Sequence, residues 1–325
     1  MRLTLGLLLI SFGRPCWGAA GGEPADGTKK LTLHPLSLKG SGSEFRFLPE
    51  PQDMTDGDAF PLYMKAIDLV PKDSDWAKIR GWREMPVAEV PQDEVGAVLR
   101  SFNEIQPLLE QAGRCKRCNW PVTSEGDPHL DLQSVRNAMF LIALKARSQF
   151  ACGDCVASVR TLRTGLALAR HLSDGPTAVH VLLGAAIVGV TCGELELYVQ
   201  QADAPSLEAA LRAIPQPFIY EEPSDLYGGD EASRKRVRLI LRRANRHLIA
   251  LQYIEALRGH ATAAGMWPGS LSELKRACPD DPVTGRPFDY KRVTKMQAIL
   301  EGPMPEGGSA KDVIRYELNF QPKER

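Results

Sequence analysis

The chain carries almost none of the short motifs that announce a common chemistry. It has no G-x-S-x-G nucleophile elbow, no P-loop, no dinucleotide fingerprint and no H-E-x-x-H pair. Its six histidines, His34, His129, His171, His180, His247 and His260, are scattered, and no two stand four apart on one helix face. It also lacks net charge. Forty Lys plus Arg balance 40 Asp plus Glu, so no overall field argues for nucleic acid or for an acidic partner. After the N-terminal segment, no run reads as long enough to span a bilayer. The most apolar, Ala178 to Cys192, is about fifteen residues and contains His180, which predicts a buried helix. These absences remove the ready-made catalytic signatures, although a site assembled from distant residues needs no motif.

What is present begins at the N-terminus. Arg2 supplies a positive n-region, residues 3–12 (LTLGLLLISF) an apolar h-region, and Gly18, Ala19 and Ala20 a small-residue cleavage site. This pattern predicts a signal peptide over residues 1–20 and an exported chain, periplasmic or extracellular, with no integral membrane span after cleavage. Cys16 follows Arg14 and Pro15, a poor lipobox. Six cysteines then remain, Cys115, Cys118, Cys152, Cys155, Cys192 and Cys278, and export permits their oxidation. The hydrophobic fraction of 43% suffices for a real core.

Hydrophobic periodicity predicts a mainly α fold. Residues 21–55 read as an extended lead-in in which Leu31, Leu33, Leu36 and Leu38 can add a strand. Residues 56–220 read as an irregular antiparallel stack of helical hairpins, TPR-like or α-solenoid in style. Its elements include a helix from Asp58 to Val70 and one running from Pro91 to Ala112 with a possible bend at Pro107. At its centre is a hairpin over residues 131–172 that turns at Cys152-Gly153-Asp154-Cys155. Small residues such as Ala138, Ala146, Gly165 and Ala169 allow its backbones to approach closely. A helix from Pro176 to about Gln201 and a short one over Ala204 to Ile214 follow. Residues 221–230 (EEPSDLYGGD) read as a linker and boundary. The rest, 231–325, reads as a long helix to Ala264, then a small α+β tail. That tail has a short helix near Ser270 to Arg276 and strands over Phe288–Val293, Gln297–Leu300 and Ile314–Phe320.

Three stretches, DAFPLYMKAIDLVPKD, RCKRCNWP and LKARSQFACGD…LRTGLALARHL, resemble an uncharacterised family of exported helical proteins of planctomycete-type bacteria. The resemblance spans most of residues 56–320, implies an exported helical protein and supplies no reaction. The tail, with MWPGSLSELK and DPVTGRPFDY behind a long helix, is similar to the helix-to-sheet region of type II secretion pseudopilins. The chain lacks their methylated N-terminal signature and hydrophobic stalk, so only the local fold is implied.

The sharpest candidate site is the pair of Cys-x-x-Cys motifs, Cys115/Cys118 and Cys152/Cys155. Four thiolates can hold zinc in a tetrahedron or an iron–sulfur cluster, but the interval Asn119 to Ala151 is longer than in common zinc ribbons, so local disulfides are the preferred reading. No strand is read before either pair, which argues against a thioredoxin-like role. The run Arg234, Lys235, Arg236, Arg238, Arg242, Arg243 and Arg246 reads as a solvated helix face rather than an anion-binding one. Glu194 and Glu196, two apart, point to different helix faces and form no catalytic pair by themselves. Trp76, Trp82, Trp120 and Trp267 read as packing anchors. The expectation is therefore an exported, non-catalytic scaffold or interaction protein with a protein or cell-envelope partner and no cofactor. The alternatives are a zinc-binding protein or hydrolase-type enzyme at the cysteine loop, and an accessory protein of secretion machinery.

Overall fold

The computed structural model describes residues 28–37, 45–121, 131–202, 204–220, 230–304 and 312–322. The expected signal peptide and all of the expected linker but Asp230 lie outside the described residues. Strand β1 (Thr28–Leu33) comes first, then strand β2 (Thr55–Asp58) and helices α1 (Phe60–Asp68), α2 (Trp76–Glu84), α3 (Gln92–Val98) and α4 (Phe102–Gly113). Strand β3 (Cys115–Arg117) precedes helices α5 (Leu132–Ala151), α6 (Cys155–Ser173), α7 (Ala178–Tyr198), α8 (Glu208–Arg212) and α9 (Glu231–Ala264). Strands β4 (Asp289–Arg292), β5 (Gln297–Gly302) and β6 (Ile314–Phe320) close the described chain. The fold is mainly helical with a small mixed sheet, as the periodicity predicts.

The hairpin at the Cys-Gly-Asp-Cys turn forms as expected, from α5 and α6. Asp131 starts α5 by accepting from the amides of Gln133 and Ser134, each at 3.1 Å. Gly153 takes φ 74°, a left-handed conformation natural to glycine, and ends the helix. Asp154 then caps α6, accepting from the Ala157 amide at 2.9 Å, a cap that contributes about 1 kcal/mol. Val135, Ile142 and Phe150 from α5, and Val159, Leu166 and Leu172 from α6, are all buried. α7 runs back antiparallel to α6. A Cβ on Gly165 would sit 3.0 Å from Thr191 Oγ1, and one on Gly184 would sit 2.8 Å from the Ala169 carbonyl, so these glycines set the closeness of the two helices.

α7 corrects the expectation that no later run reaches membrane-spanning length. It has 21 residues and a mean hydropathy of 1.8 over its most apolar window, enough by length and composition to cross a bilayer. The helix continues past Cys192 because Glu194 and Glu196 find buried partners instead of ending it. In the fold 72% of that window is buried inside the protein, with α5, α6 and α9 packed around it.

Other departures have local causes. The helix expected from Pro91 to Ala112 is divided into α3 and α4. Between them Ser101 Oγ donates to the Val98 carbonyl at 3.1 Å, a side-chain bond that competes with helix continuation. Pro107 stays inside α4. Thr55–Asp58, where the expected lead-in meets the expected helix start at Asp58, and Cys115–Arg117, read as a loop, pair as two short parallel strands. The helix expected near Ser270–Arg276 is a single 3-10 turn, Leu271–Glu273.

The C-terminal strands form where alternation placed them, and the sheet takes its fourth strand from the lead-in. Its order is β1-β6-β5-β4, with β1 parallel to β6 and the other pairs antiparallel. Leu31 lies opposite Leu318 and Leu33 opposite Phe320, so the alternating leucines of β1 extend the buried face of β6. α9 carries this sheet. Asp230 caps it by accepting from the Ser233 amide at 2.8 Å, and Gly265, at φ 71°, ends it. Tyr253 packs on Phe288, centroids 5.1 Å apart, and Trp267 packs edge-on against Phe320 at 5.5 Å. One hydrophobic core is continuous through the helices and the sheet. Trp82, Trp120 and Trp267 are buried in it and Trp76 packs against it, the anchoring role expected of them. Arg246 departs from the solvated face predicted for the basic run. It is buried and donates to Asp281 Oδ2 at 2.7 Å and to the Pro303 carbonyl at 2.7 Å.

Candidate functional site

A cleft of about 50 Å³ opens between β1, α2, α5 and α7. Its floor is α7, where Gly189 and Gly193 stand one turn apart and leave the helix without side chains. A Cβ on Gly193 would meet nothing within 4 Å, in contrast to Gly184 on the same helix. Lys29 and Leu31 of β1, Arg80, Arg83 and Glu84 of α2 and Arg147 of α5 form the walls. Charge therefore gathers over the most apolar helix of the molecule. Buried charges need partners, so the two glutamates of α7 determine what surrounds them.

At one end Glu194, 1% exposed, accepts from Arg147 Nε at 2.8 Å. Arg83 Nη2 stands 3.6 Å from its second oxygen. Arg147 also donates from Nη1 to the Met85 carbonyl at 2.9 Å, which ties the C-terminal end of α2 to α5. The Arg83 guanidinium lies over the Phe140 ring, 4.7 Å from its centroid, so its flat face is covered by apolar surface.

At the other end Glu196 joins four elements. Lys29 of β1 donates to its two oxygens at 2.8 and 3.0 Å, His247 Nε2 of α9 approaches to 2.6 Å, and the Tyr316 hydroxyl of β6 donates at 2.6 Å. Burial pushes this carboxyl up, but the positive charge of Lys29 and the donors around it outweigh burial and hold it at about 2. Burial drives His247 down and outweighs the pull of Glu196, so the imidazole is neutral at neutral pH and donates through Nε2. Burial and then the adjacent carboxylate push the Tyr316 phenol up, so it remains a donor. One turn on, Gln200 accepts from the Thr32 amide at 3.2 Å and donates to the Glu196 carbonyl at 2.9 Å, fixing β1 against α7. The two glutamates thus have separate partner sets, as their spacing predicts, while both border one cleft.

The cysteines lie elsewhere, and the fold separates the two pairs. Cys115 opens β3 and is buried; its thiol donates to the Gln111 carbonyl at 3.6 Å and lies 3.7 Å from Thr55 Oγ1. Its carbonyl meets His171 Nε2 at 3.0 Å, near the C-terminal end of α6, and His171 Nδ1 meets the Tyr63 hydroxyl at 2.8 Å. Cys155 is the first residue of α6 and Cys152 precedes it. From Cys155 to His171 that helix rises ~24 Å, whereas thiolates on one zinc stand about 4 Å apart. A single metal on Cys115, Cys118, Cys152 and Cys155, the alternative to local disulfides, needs thiolates that this fold holds one helix length apart. Burial, and after it Asp58, pushes the half-buried Cys118 thiol far up, which makes it a poor nucleophile. Among the described residues no disulfide joins the cysteines. His171 and His180 both border Trp120, which donates to the His171 carbonyl at 2.7 Å and packs on the His180 ring at 5.3 Å. Burial lowers both imidazoles to about 4, so they are neutral packing groups.

The charged cleft is only half legible in the sequence. The one sequence signal is a pair of glutamates inside an apolar helix, which demands buried cations without saying which. Compared with protein-family models, with curated proteins and with solved structures, the chain matches none.

Proposed function

We propose that this chain is an exported, non-catalytic helical interaction protein of the cell envelope and that the charged cleft is where it meets its partner. The observation that carries the reading is the engagement of Glu196. Both of its oxygens already accept hydrogen bonds from Lys29, His247 or Tyr316, and its charge is compensated, so it is a fixed structural charge rather than a poised base. With Lys29 and Arg147 committed to Glu196 and Glu194, what remains at the cleft is the half-buried Arg80 beside a glycine floor, a surface suited to recognition. The successive antiparallel helices α5, α6 and α7 support the finer comparison with stacked helical-hairpin repeats, which present such surfaces. Export rests on the N-terminal pattern of Arg2, the apolar residues 3–12 and the small residues that follow.

The test is site-specific photo-crosslinking in the native host, with the probe placed at Arg80 beside the cleft or at the exposed Lys65 on α1 as control. The reading expects an envelope fraction in which the Arg80 probe, and not the Lys65 probe, yields one discrete adduct, on a chain that has lost its first residues. A cytoplasmic, uncleaved chain, or identical adducts from both positions, would refute it.

A further inference from the structure

We infer that the cleft binds a carboxylate, supplied by the C-terminal chain end of the protein partner. The inference rests on the interaction reading above and names the chemistry the partner must present. Four cations, Lys29, Arg80, Arg83 and Arg147, and three carboxylates, Glu84, Glu194 and Glu196, line the cleft, which leaves one positive charge in excess. Arg80 is the group to which that excess belongs. It is half-buried and, among the described residues, forms no ion pair, whereas Arg147 and Lys29 are committed to buried glutamates. A monoanion balances the excess. A phosphate dianion overshoots it and places a second negative charge beside Glu194 and Glu196, which the cleft disfavours.

Size gives the same answer. A water-sized occupant takes about 10–15 Å³ on this measure, so the cleft admits roughly three to five heavy atoms, the size of an acetate group. The open floor at Gly193 takes the methyl or methylene end of such a group, since no atom beyond the adjoining residues and backbone of its own helix lies within 4 Å of where a Cβ would stand. A guanidinium at the mouth presents a planar fork of donors that matches a carboxylate edge.

The experiment titrates the whole protein with sodium acetate, sodium phosphate, N-acetyl-trialanine and the C-terminal amide of that peptide, at constant ionic strength. Arginine Nε–Hε NMR signals report binding. The inference expects saturable shifts of the Arg80 and Arg147 signals with acetate and with the free-acid peptide. The amide should give none, and phosphate should bind at least tenfold more weakly than acetate. Arg80→Gln, a rim change that leaves the fold intact, should weaken acetate at least tenfold. Gly193→Leu, whose Cβ stands in open space and whose longer side chain occupies the floor, should abolish the response while remaining folded by circular dichroism. No saturable shift with acetate, tighter binding of phosphate, or an undiminished response in Gly193→Leu overturns the inference. Acetate binding without peptide binding overturns the partner as its source and counts against the interaction reading. A discrete crosslink at Arg80 with no carboxylate response overturns the inference alone.

Discussion

Replacing Arg147 with Met keeps an unbranched apolar stem and removes the guanidinium with its charge. In the fold Arg147 is 4% exposed and its Nε–H is 2.8 Å from Glu194, itself 1% exposed. Arg147→Met therefore leaves a carboxylate inside the protein with one remaining cation, Arg83, at 3.6 Å, and takes the Nη1 donor from the Met85 carbonyl. Losing one partner of a buried ion pair costs about 3–5 kcal/mol, and Arg83 keeps the expected loss near the lower figure. For a chain of 325 residues the unfolding entropy is roughly 0.7 kcal/mol per degree, so Tm should fall by about 4–7 °C. Calorimetry and urea unfolding measure it. The double variant Arg147→Met/Glu194→Gln is the decisive companion, because it removes the stranded charge and should be more stable than Arg147→Met alone by about 2 kcal/mol. A loss under about 1 kcal/mol for Arg147→Met, or a double variant less stable than the single one, would refute the buried-pair reasoning.

Acid should unfold the protein through two windows. His171, held at about 4 by burial, gives stability that is complete above pH 6.5 and falls as pH drops toward 4. Glu196, depressed to about 2, gives about 3 kcal/mol that is present above pH 4.5 and is lost as pH falls toward 2. Glu196→Gln should shrink the lower window in urea melts taken across pH, leaving the share of other depressed carboxylates such as Asp58 and Asp131. Gly184→Ala should destabilise by about 1–3 kcal/mol, because the new methyl would stand 2.8 Å from the Ala169 carbonyl. Gly193→Ala on the same helix should be neutral or stabilise by up to about 1 kcal/mol, because it meets nothing within 4 Å and gains helix propensity. Equal effects from the two, measured as Tm, would contradict the described α6–α7 approach. Asp154→Ala should cost about 1 kcal/mol by leaving the Ala157 amide uncapped, while Asp154→Asn should retain most of it.

The elements most legible in the sequence are those set by local chemistry. The α5–α6 hairpin follows from its period, its small residues and the turn at Gly153 and Asp154. The long α9 follows from its apolar stripe between Asp230 and Gly265. Strands β4 to β6 follow from alternation and turn residues. What depends on distant pairing was not legible. Nothing local says that β1 will join β6, nearly three hundred residues away, although the alternating Leu31 and Leu33 suit a half-buried strand. Nor does CKR at 115–117 announce a strand, because β3 exists only by pairing with β2. The distance between the two cysteine pairs was not legible for the same reason, since thiol spacing in sequence says nothing about which end of α6 each pair occupies. The charged cleft was half legible. Glutamates in an apolar helix required partners, and only the fold identifies them as Arg147, Lys29, His247 and Tyr316.

Glu196 in α7 is a fixed charge rather than a reacting group if its carboxyl is already ionised throughout the physiological range, and carbon-13 NMR titration of that side chain measures this. The expected result is a carboxylate that stays ionised from neutral pH down to below 4, with a midpoint near 2. A midpoint between about pH 6 and 7 would mark a poised general acid or base, contradict the non-catalytic reading and make the cleft an active site.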